Sequence, residues 1–463
     1  MIITRFAPSP TGYLHVGNIR VAILNYLYSI KNNGIFFFRV ENTDLIRSLV
    51  VNFSNALKDI DWFGLKYNNI TYFQTVRFDI YKYYYKILKK RNDSYYCFCS
   101  DIELLFLKEK QLSMGLFPKY NEKCKKLNEI DIYNKISLGF KPVLRFNVPF
   151  NKILKFDDLL KGVQLCNSNS IGDFVIRKSN LFPSFIFSNL IDDFCMGVTH
   201  IFRGEDHITN TFKQIMLKNS LGILDIFYGH IPMINNFDGQ VLSKRMGSFS
   251  IKKLKTNGFS SLSMINYLCK FGGGNLVFLS LKKLINFFDY EKIVNRSSKY
   301  DISQLLFYQK NYIIKNKKFY KILIFPYVNG IISIYKINFF ISIFFDNIYF
   351  FNDIIYWVNV FFFKNIIYEK FNLNFFIFSD KLFYLELLYI FNIFYKNYFF
   401  YIKNFMNLCF FNEKKLFILL RLFITNKDDG PKLNDIISFL SYEFLIYRIK
   451  KMNNLLSYYV KNL

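Results

Sequence analysis

Arg5-Phe6-Ala7-Pro8-Ser9-Pro10-Thr11-Gly12-Tyr13-Leu14-His15-Val16-Gly17-Asn18 is the stretch from which the rest of the chain is read. Just ahead of it, Ile2 and Ile3 predict a short buried strand, and Pro8, Pro10 and Gly12 then enforce a loop. From about Asn18 to Ile30, apolar residues recur at helical spacing: Ile19, Ala22, Ile23, Tyr26, Leu27 and Ile30. A strand, a Pro/Gly loop and a helix in that order form a phosphate-binding layout. The first N–H groups of the helix and the positive end of its dipole both face an anion there. Gly17 leaves room for close approach of a nucleotide, and His15 can donate to a phosphate oxygen. An isolated His-x-Gly pair is more often an ordinary loop, so the downstream pattern has to decide.

Downstream, Ile35–Val40 predicts a strand ending in Glu41-Asn42-Thr43-Asp44, and acids at that edge sit where α/β sheets bind ligands. Thr43 or Asp44 serves equally well as an N-cap for an amphipathic helix over Leu45–Phe63. A further helix is expected over Phe78–Arg91. This alternation predicts an α/β fold with a doubly wound parallel sheet. From Cys97 to about Asn180 the texture changes to Lys-rich helices, turns and an isolated strand, Val143–Val148, which reads as an insertion. Sheet-like segments then resume. Phe185–Leu190 fits a helix or a strand, His200–Asp206 a strand running into a loop, and Ile231–Ile234 a short strand ahead of Gly239. Beyond Ile251 the pattern is helical to the end, with Gly272–Gly274 as a turn between helices.

Length and charge bound the function. At 463 residues the chain holds two or more domains. A formal net charge of +27 implies a polyanionic partner or an acidic membrane surface. Phe, Tyr, Ile, Asn and Lys are residues of AT-rich codons, so mutational bias accounts for part of the excess equally well. The N-terminus has no signal-peptide character. Asn338, Asp346 and Asn347 interrupt the aromatic run Ile337–Phe351, leaving it short of a membrane span. Seven cysteines without a secretory signal point to a reducing compartment, and a cytoplasmic protein is expected.

The opening stretch resembles the His-Ile-Gly-His signature of class I aminoacyl-tRNA synthetases, in the form carried by glutamyl-tRNA synthetases. Val241-Leu242-Ser243-Lys244-Arg245, followed by Met246-Gly247, resembles the partner signature of the same family. Similarity to bacterial members extends through Val40–Asp44, Arg145–Pro149, Ile191-Asp192-Asp193, Thr199–His207 and Lys415–Thr425 with Gly430-Pro431. The resemblance implies an α/β Rossmann-like catalytic domain with an inserted α+β domain, followed by all-α C-terminal domains. The divisions expected are 1–96 and 181–236 for the catalytic halves and 97–180 for an acceptor-end-binding insertion. A lysine-loop and helical stem-contact domain follows at 237–318, and a helical anticodon-binding domain at 319–463. The related glutaminyl enzymes carry β-barrels in that last region.

What the resemblance implies chemically is ATP-dependent ligation of L-glutamate to the 3′ end of tRNA(Glu) through a glutamyl-adenylate, by a monomer with no membrane partner. The ATP site would comprise His15, Gly17, Asn18, Asp206, His207, Ser243, Lys244 and Arg245, with Mg²⁺ held mainly by phosphate oxygens. His15 would serve the α-phosphate and Lys244 the leaving pyrophosphate. Glutamate, with two carboxylates and an ammonium, needs arginine and an acid. The matching positions are Arg5, Ala7, Ser9, Glu41, Phe185, Asn189 and Arg203. Arg5 is assigned the side-chain carboxylate and Glu41 the ammonium. Arg203 either aids the carboxylate grip or pairs with Glu205 or Asp206, while His200 and His230 are read as structural.

Asn42, Val241 and Phe185 depart from the family's usual Asp, Lys and Tyr. Cys97, Cys99 and Cys124 offer three thiolates, which favour zinc. Lys126 stands where relatives carry a fourth ligand, His, and Tyr120 resembles an alternative Tyr-x-x-x-Cys ending. A zinc site and a thiol-only relic both fit these letters. Competing functions are a non-catalytic tRNA-binding relic, a synthetase that also glutamylates tRNA(Gln), and a small-molecule nucleotidyltransferase.

Overall fold

Ile3–Phe6 (β1) leads through the Pro/Gly loop into Val16–Lys31 (α1) and back to Ile35–Val40 (β2), which lies parallel to β1 with Ile3 opposite Ile35. In the computed structural model the described residues are 1–9, 12–42, 50–68, 72–236, 238–240, 250–270, 277–328, 334–363 and 413–461. They form two compact units, Met1–Tyr308 and Gln309–Leu463. Val50–Trp62 (α2) connects β2 to Tyr72–Phe73 (β3), whose partner is the end of β2, and Phe78–Lys90 (α3) follows.

The chain then leaves this sheet. Ser94–Cys97 (β4) begins an antiparallel three-stranded sheet that continues after two helices, Asp101–Ser113 (α4) and Glu129–Ser137 (α5). Val143–Phe146 (β5) pairs with β4 from Ser94↔Phe146 to Cys97↔Val143. The inserted sheet therefore starts three residues ahead of the Cys97 boundary read from composition. Ile153–Asp158 (β6) and Gly162–Asn167 (β7) form a hairpin, and Val175–Arg177 (β8) returns to pair with β5.

Phe185–Cys195 (α6) settles the helix-or-strand choice at that segment. It is a helix, with Phe187, Leu190 and Ile191 facing the core and Asn189 and Asp193 buried on the site side. His200–Gly204 (β9), Ile208–Leu221 (α7) and Phe227–Ile231 (β10) complete the second half of the sheet, β10 running parallel to β9. Thr199 N donates to Ile3 O at 2.9 Å, which sets β9 beside β1. The parallel strands thus run outward from β1 to β3 on one side and from β9 to β10 on the other. Such a reversal opens a crevice at the strands' carboxyl ends.

The β6–β7 hairpin does not stay with the inserted sheet. Tyr228 of β10 pairs with Asp158 of β6. Phe156 sits edge-on to Phe212 at 5.0 Å, so burial of its ring against α7 holds the hairpin on the catalytic sheet.

Ile234–Asn235 (β11), Ile251–Thr256 (α8), Ser261–Cys269 (α9) and Leu281–Phe287 (α10) precede Ser298–Lys299 (β12), which pairs parallel with β11. Helix throughout beyond Ile251 was the expectation from periodicity, and β12 corrects it. Two residues are too few to show a period of two.

The second unit is helical among its described residues. Its helices include Lys317–Val328, Ile334–Phe344, Phe351–Phe362, Glu413–Thr425, Leu433–Phe439 and Tyr442–Lys461. They bury Trp357, Phe340, Phe344, Leu420, Ile436 and Ile449 in one core. Within that core Arg448 donates to the carbonyls of Ile424 at 3.0 Å and Phe363 at 2.7 Å, filling acceptors that helix ends leave open. No helix among the described residues is long and apolar enough to cross a membrane.

Candidate active site

Twelve of the residues assigned to ATP and glutamate line one cleft of about 310 Å³ at the carboxyl ends of β1, β2 and β9: Arg5, Ala7, Ser9, His15, Gly17, Asn18, Glu41, Phe185, Asn189, Arg203, Asp206 and His207. Ser243, Lys244 and Arg245 lie outside the described residues, as do Pro10, Thr11, Thr43, Asp44, Val241 and Gly272–Gly274. The segment just beyond them is placed: Ser250 forms an antiparallel bridge with His15, and Ile251 N donates to Leu14 O at 2.9 Å.

His15 is the N-cap of α1. Its Nδ1 accepts from Gly17 N at 3.1 Å, and its own N–H donates to Asn18 Oδ1 at 3.3 Å. With Nδ1 committed as an acceptor, the neutral ring carries its proton on Nε2. A side chain at Gly17 would put its Cβ 3.0 Å from the His15 ring, so glycine is what allows the ring to cap the helix. That reason differs from the nucleotide clearance expected from the letters alone.

Behind the glutamate positions lies a buried network of charges. Arg5 meets Asp193 through Nε and Nη2, both at 3.1 Å, and Nη2 also donates to Asn189 Oδ1 at 2.9 Å. Arg39, fully buried at the end of β2, donates through Nη1 to Asp193 Oδ1, the oxygen that also takes Arg5 Nε, and through Nη2 to Glu41 Oε1 at 3.2 Å. Asn189 Nδ2 also donates to Glu41. Burial acts to raise the Asp193 carboxyl, but Arg39 and Arg5 outweigh it and hold it below its ordinary range. Burial raises Glu41, with Arg39 and Arg5 resisting. With all five ionised, three arginines (Arg5, Arg39, Arg203) against two acids (Glu41, Asp193) leave this cluster at +1, and the burial that raises Glu41 does not reduce that excess.

Arg203 is held by its back. Nε donates to His230 Nε2 at 3.3 Å and Nη2 to Gln214 Oε1 at 2.8 Å, with Thr211 Oγ1 also within reach of Nη2. Its Nη1 is buried and has no partner among the described residues. The alternative pairing with Glu205 is not formed, because Glu205 takes Lys161 Nζ at 2.6 Å and Met233 N at 2.9 Å. Arg203 therefore lines the cleft with one buried nitrogen unmatched, a deficit that a carboxylate would fill.

Phe185 lies 5.4 Å from the His207 ring at a 31° tilt, so the two aromatic side chains share one wall. Burial and the Arg203 guanidinium push His207 down to about 4, leaving it neutral near pH 7. Phe185→Tyr is expected to lower the glutamate KM about 2- to 10-fold, the range of one net hydrogen bond. Steady-state kinetics with unchanged KM would show that a hydroxyl there finds no substrate partner.

Sequence reasoning missed Arg39 and gave Asp193 no role. Arg39 is embedded in the apolar run Ile-Phe-Phe-Phe-Arg-Val, where a lone charge in a buried strand was the available signal.

A second constellation stands apart from the cleft. The Sγ atoms of Cys97, Cys99 and Cys124 lie within 4.8 Å of one another, Cys99 and Cys124 at 3.7 Å. Tyr120 OH is 3.4 Å from Cys97 Sγ and 3.6 Å from Cys99 Sγ. A tetrahedral zinc with arms of about 2.3 Å to sulfur and 2.0 Å to oxygen requires S···S near ~3.8 Å and S···O near ~3.5 Å, so these donors fit. Arg145 stacks on the Tyr120 ring at 3.9 Å. Burial acts to raise the Cys97 thiol, yet Tyr120 and Arg145 bring it below its usual value. Lys126 is exposed and takes no part.

Residues 1–307 match the family described as tRNA synthetases class I (E and Q), catalytic domain, which defines the class to which this fold and cleft belong. The chain is 34% identical over 463 residues to glutamate–tRNA ligase 1 of Coxiella burnetii (strain CbuG_Q212), spanning 97% of this chain and 99% of that protein. It is 39% identical over 317 residues to glutamate–tRNA ligase 2 of Nitrosococcus oceani, spanning 66% of this chain and 67% of the other. A crystal structure of a glutamate tRNA ligase from Elizabethkingia meningosepticum CCUG26117 in complex with its amino acid shares the fold, with a TM-score of 0.74 at 22% identity and coverage of 98% and 99%. The chain belongs to the glutamate–tRNA ligase family.

Proposed function

We propose that this cleft activates glutamate on ATP and passes the glutamyl group to the 3′ end of tRNA(Glu). Ligation of glutamate to tRNA follows from family membership over nearly the full length. The observation that carries the choice of amino acid is the +1 cluster around Arg203. Glutamate, net −1, is matched by that cluster, whereas glutamine, net 0, would leave Arg5, the guanidinium assigned to the side-chain carboxylate, facing a neutral amide.

His15 Nε2–H and the amino end of α1 would stabilise charge on the α-phosphate as the glutamate carboxylate attacks it. Lys244 would neutralise the departing pyrophosphate, and Mg²⁺ would ride on phosphate oxygens. Arg203 and Arg5 would hold the substrate carboxylates and Glu41 its ammonium. The insertion at 97–180 would carry the acceptor end and the helices of 319–463 the anticodon, with the +27 charge favouring the RNA backbone. The expected enzyme is a cytoplasmic monomer.

The direct test is ATP-dependent transfer of labelled glutamate to purified tRNA(Glu) and tRNA(Gln). Acid-precipitable label on tRNA(Glu) is expected; none on either tRNA, with folded protein, would leave only a binding relic.

Zinc would be held by Cys97, Cys99, Cys124 and Tyr120, tying the two ends of the inserted segment's first loop together. The purified protein is expected to carry about one zinc per chain by atomic absorption, and Cys124→Ser to lose it. Folded, zinc-free wild-type protein would favour the thiol-only reading.

A further inference from the structure

His230 was read as structural, but its contacts lead to Arg203 in the wall of the cleft. It is fully buried, as is the side chain of Asp158, which accepts from His230 Nδ1 and, at 3.2 Å, from His230 N. A proton on Nδ1 leaves Nε2 as a bare acceptor, and Arg203 Nε and Thr211 Oγ1 lie 3.3 and 2.9 Å from it. Asp158 itself is fixed by the backbone N–H groups of Leu160 and Lys161, both at 2.9 Å. The line Asp158–His230–Arg203 thus runs from the tip of the β6–β7 hairpin to the cleft. Burial, Arg203 and Lys161 keep the ring neutral against the pull of Asp158. That matters because a second ring proton would point at the guanidinium.

We propose that His230, oriented by Asp158, is a positioning residue that turns Arg203 so that Nη1 faces the glutamate carboxylate. The inference rests on Arg203 being that carboxylate's grip. With His230 accepting at Nε and Thr211 and Gln214 at Nη2, the guanidinium of this cleft-lining residue is held in one orientation, and Nη1 is the nitrogen left to be matched. Without the acceptor at Nε, the guanidinium can turn its fork away at little cost.

Aminoacylation kinetics at varied glutamate and varied ATP test this with Arg203→Ala, His230→Phe, His230→Gln and His230→Asn. His230→Phe keeps a ring between Phe156 and Tyr228, 5.9 and 6.3 Å away, but offers Arg203 no acceptor. His230→Gln loses the ring yet can place an oxygen near the former Nε2. The expected result is a glutamate KM raised about tenfold or more in the Phe variant and within about threefold of wild type in the Gln variant. The ATP KM should be unchanged in both. A Phe variant with wild-type glutamate KM, or a Gln variant worse than Phe, means that the ring fills space only and overturns the proposal. Should the Phe variant fail to fold, Gln and Asn decide: a lower KM for Gln supports the role, and equal values overturn it. Arg203→Ala separates the two layers. If it leaves the glutamate KM unchanged, the grip assignment itself fails; if it raises KM while every folded His230 variant is normal, only the positioning role falls.

Discussion

His15→Ala is expected to slow glutamylation of tRNA by about 10²- to 10³-fold, and Lys244→Ala by a similar factor, while tRNA binding changes little. The expectation for His15 comes from its bonding. Its Nδ1 caps α1 through Gly17, which puts the ring proton on Nε2, the donor proposed to meet a phosphate oxygen that gains charge in the transition state. Removing one preorganised donor of this kind costs about 2.7–4 kcal/mol. Loss of the N-cap itself costs about 1 kcal/mol of stability, so His15→Asn serves as the control. It restores a capping oxygen, and the melting temperature should recover while turnover stays low. For Lys244 the family signature supplies the expectation, and the bridge between Ser250 and His15 sets the next described residue after it beside the amino end of α1. Single-turnover measurement of pyrophosphate release checks both. Wild-type rates in both variants would remove these residues from the chemistry.

Asp193→Ala is expected to be the most damaging change to the fold that leaves every cleft-lining side chain in place. Its carboxylate is shared by Arg5 and Arg39, so alanine leaves two buried guanidinium groups with only Asn189 and Glu41 as their remaining oxygen partners. Breaking a buried pair by removing one partner costs about 3–5 kcal/mol. Calorimetry should show a clear drop in the unfolding temperature of the catalytic unit, and glutamate KM should rise because Arg5 loses its support. The same carboxylate imposes a pH signature. Its folded pKa is depressed, so its contribution is complete above the ordinary carboxylate pKa and is lost as the pH falls through the lower folded value. The stability gap between wild type and Asp193→Asn should therefore close on acidification. A gap independent of pH would mean that the charge is not what stabilises.

Much of this was legible because β1, its loop and α1 are local: Pro8, Gly12 and Gly17 act on their neighbours, and the helical period of α1 spans four turns. The cleft residues Glu41, Asn189 and Arg203 could be placed only through family likeness, since Glu41 meets Asn189 across 148 positions. Arg39 stayed hidden because strand patterning predicts burial and says nothing about which acid a buried cation will find. The Asp158–His230 contact escaped for the same reason: it joins the inserted segment to β10 across 72 positions.

The path of the β6–β7 hairpin limits how this enzyme could be re-engineered. A segment that looks like a removable cassette between α3 and α6 contributes edge strands to the nucleotide-binding sheet and, through Asp158, a partner to His230. Transplanting it from a relative would exchange more than a self-contained insertion. The graft would have to bring an acid to the same turn, or the host would have to change its histidine in step.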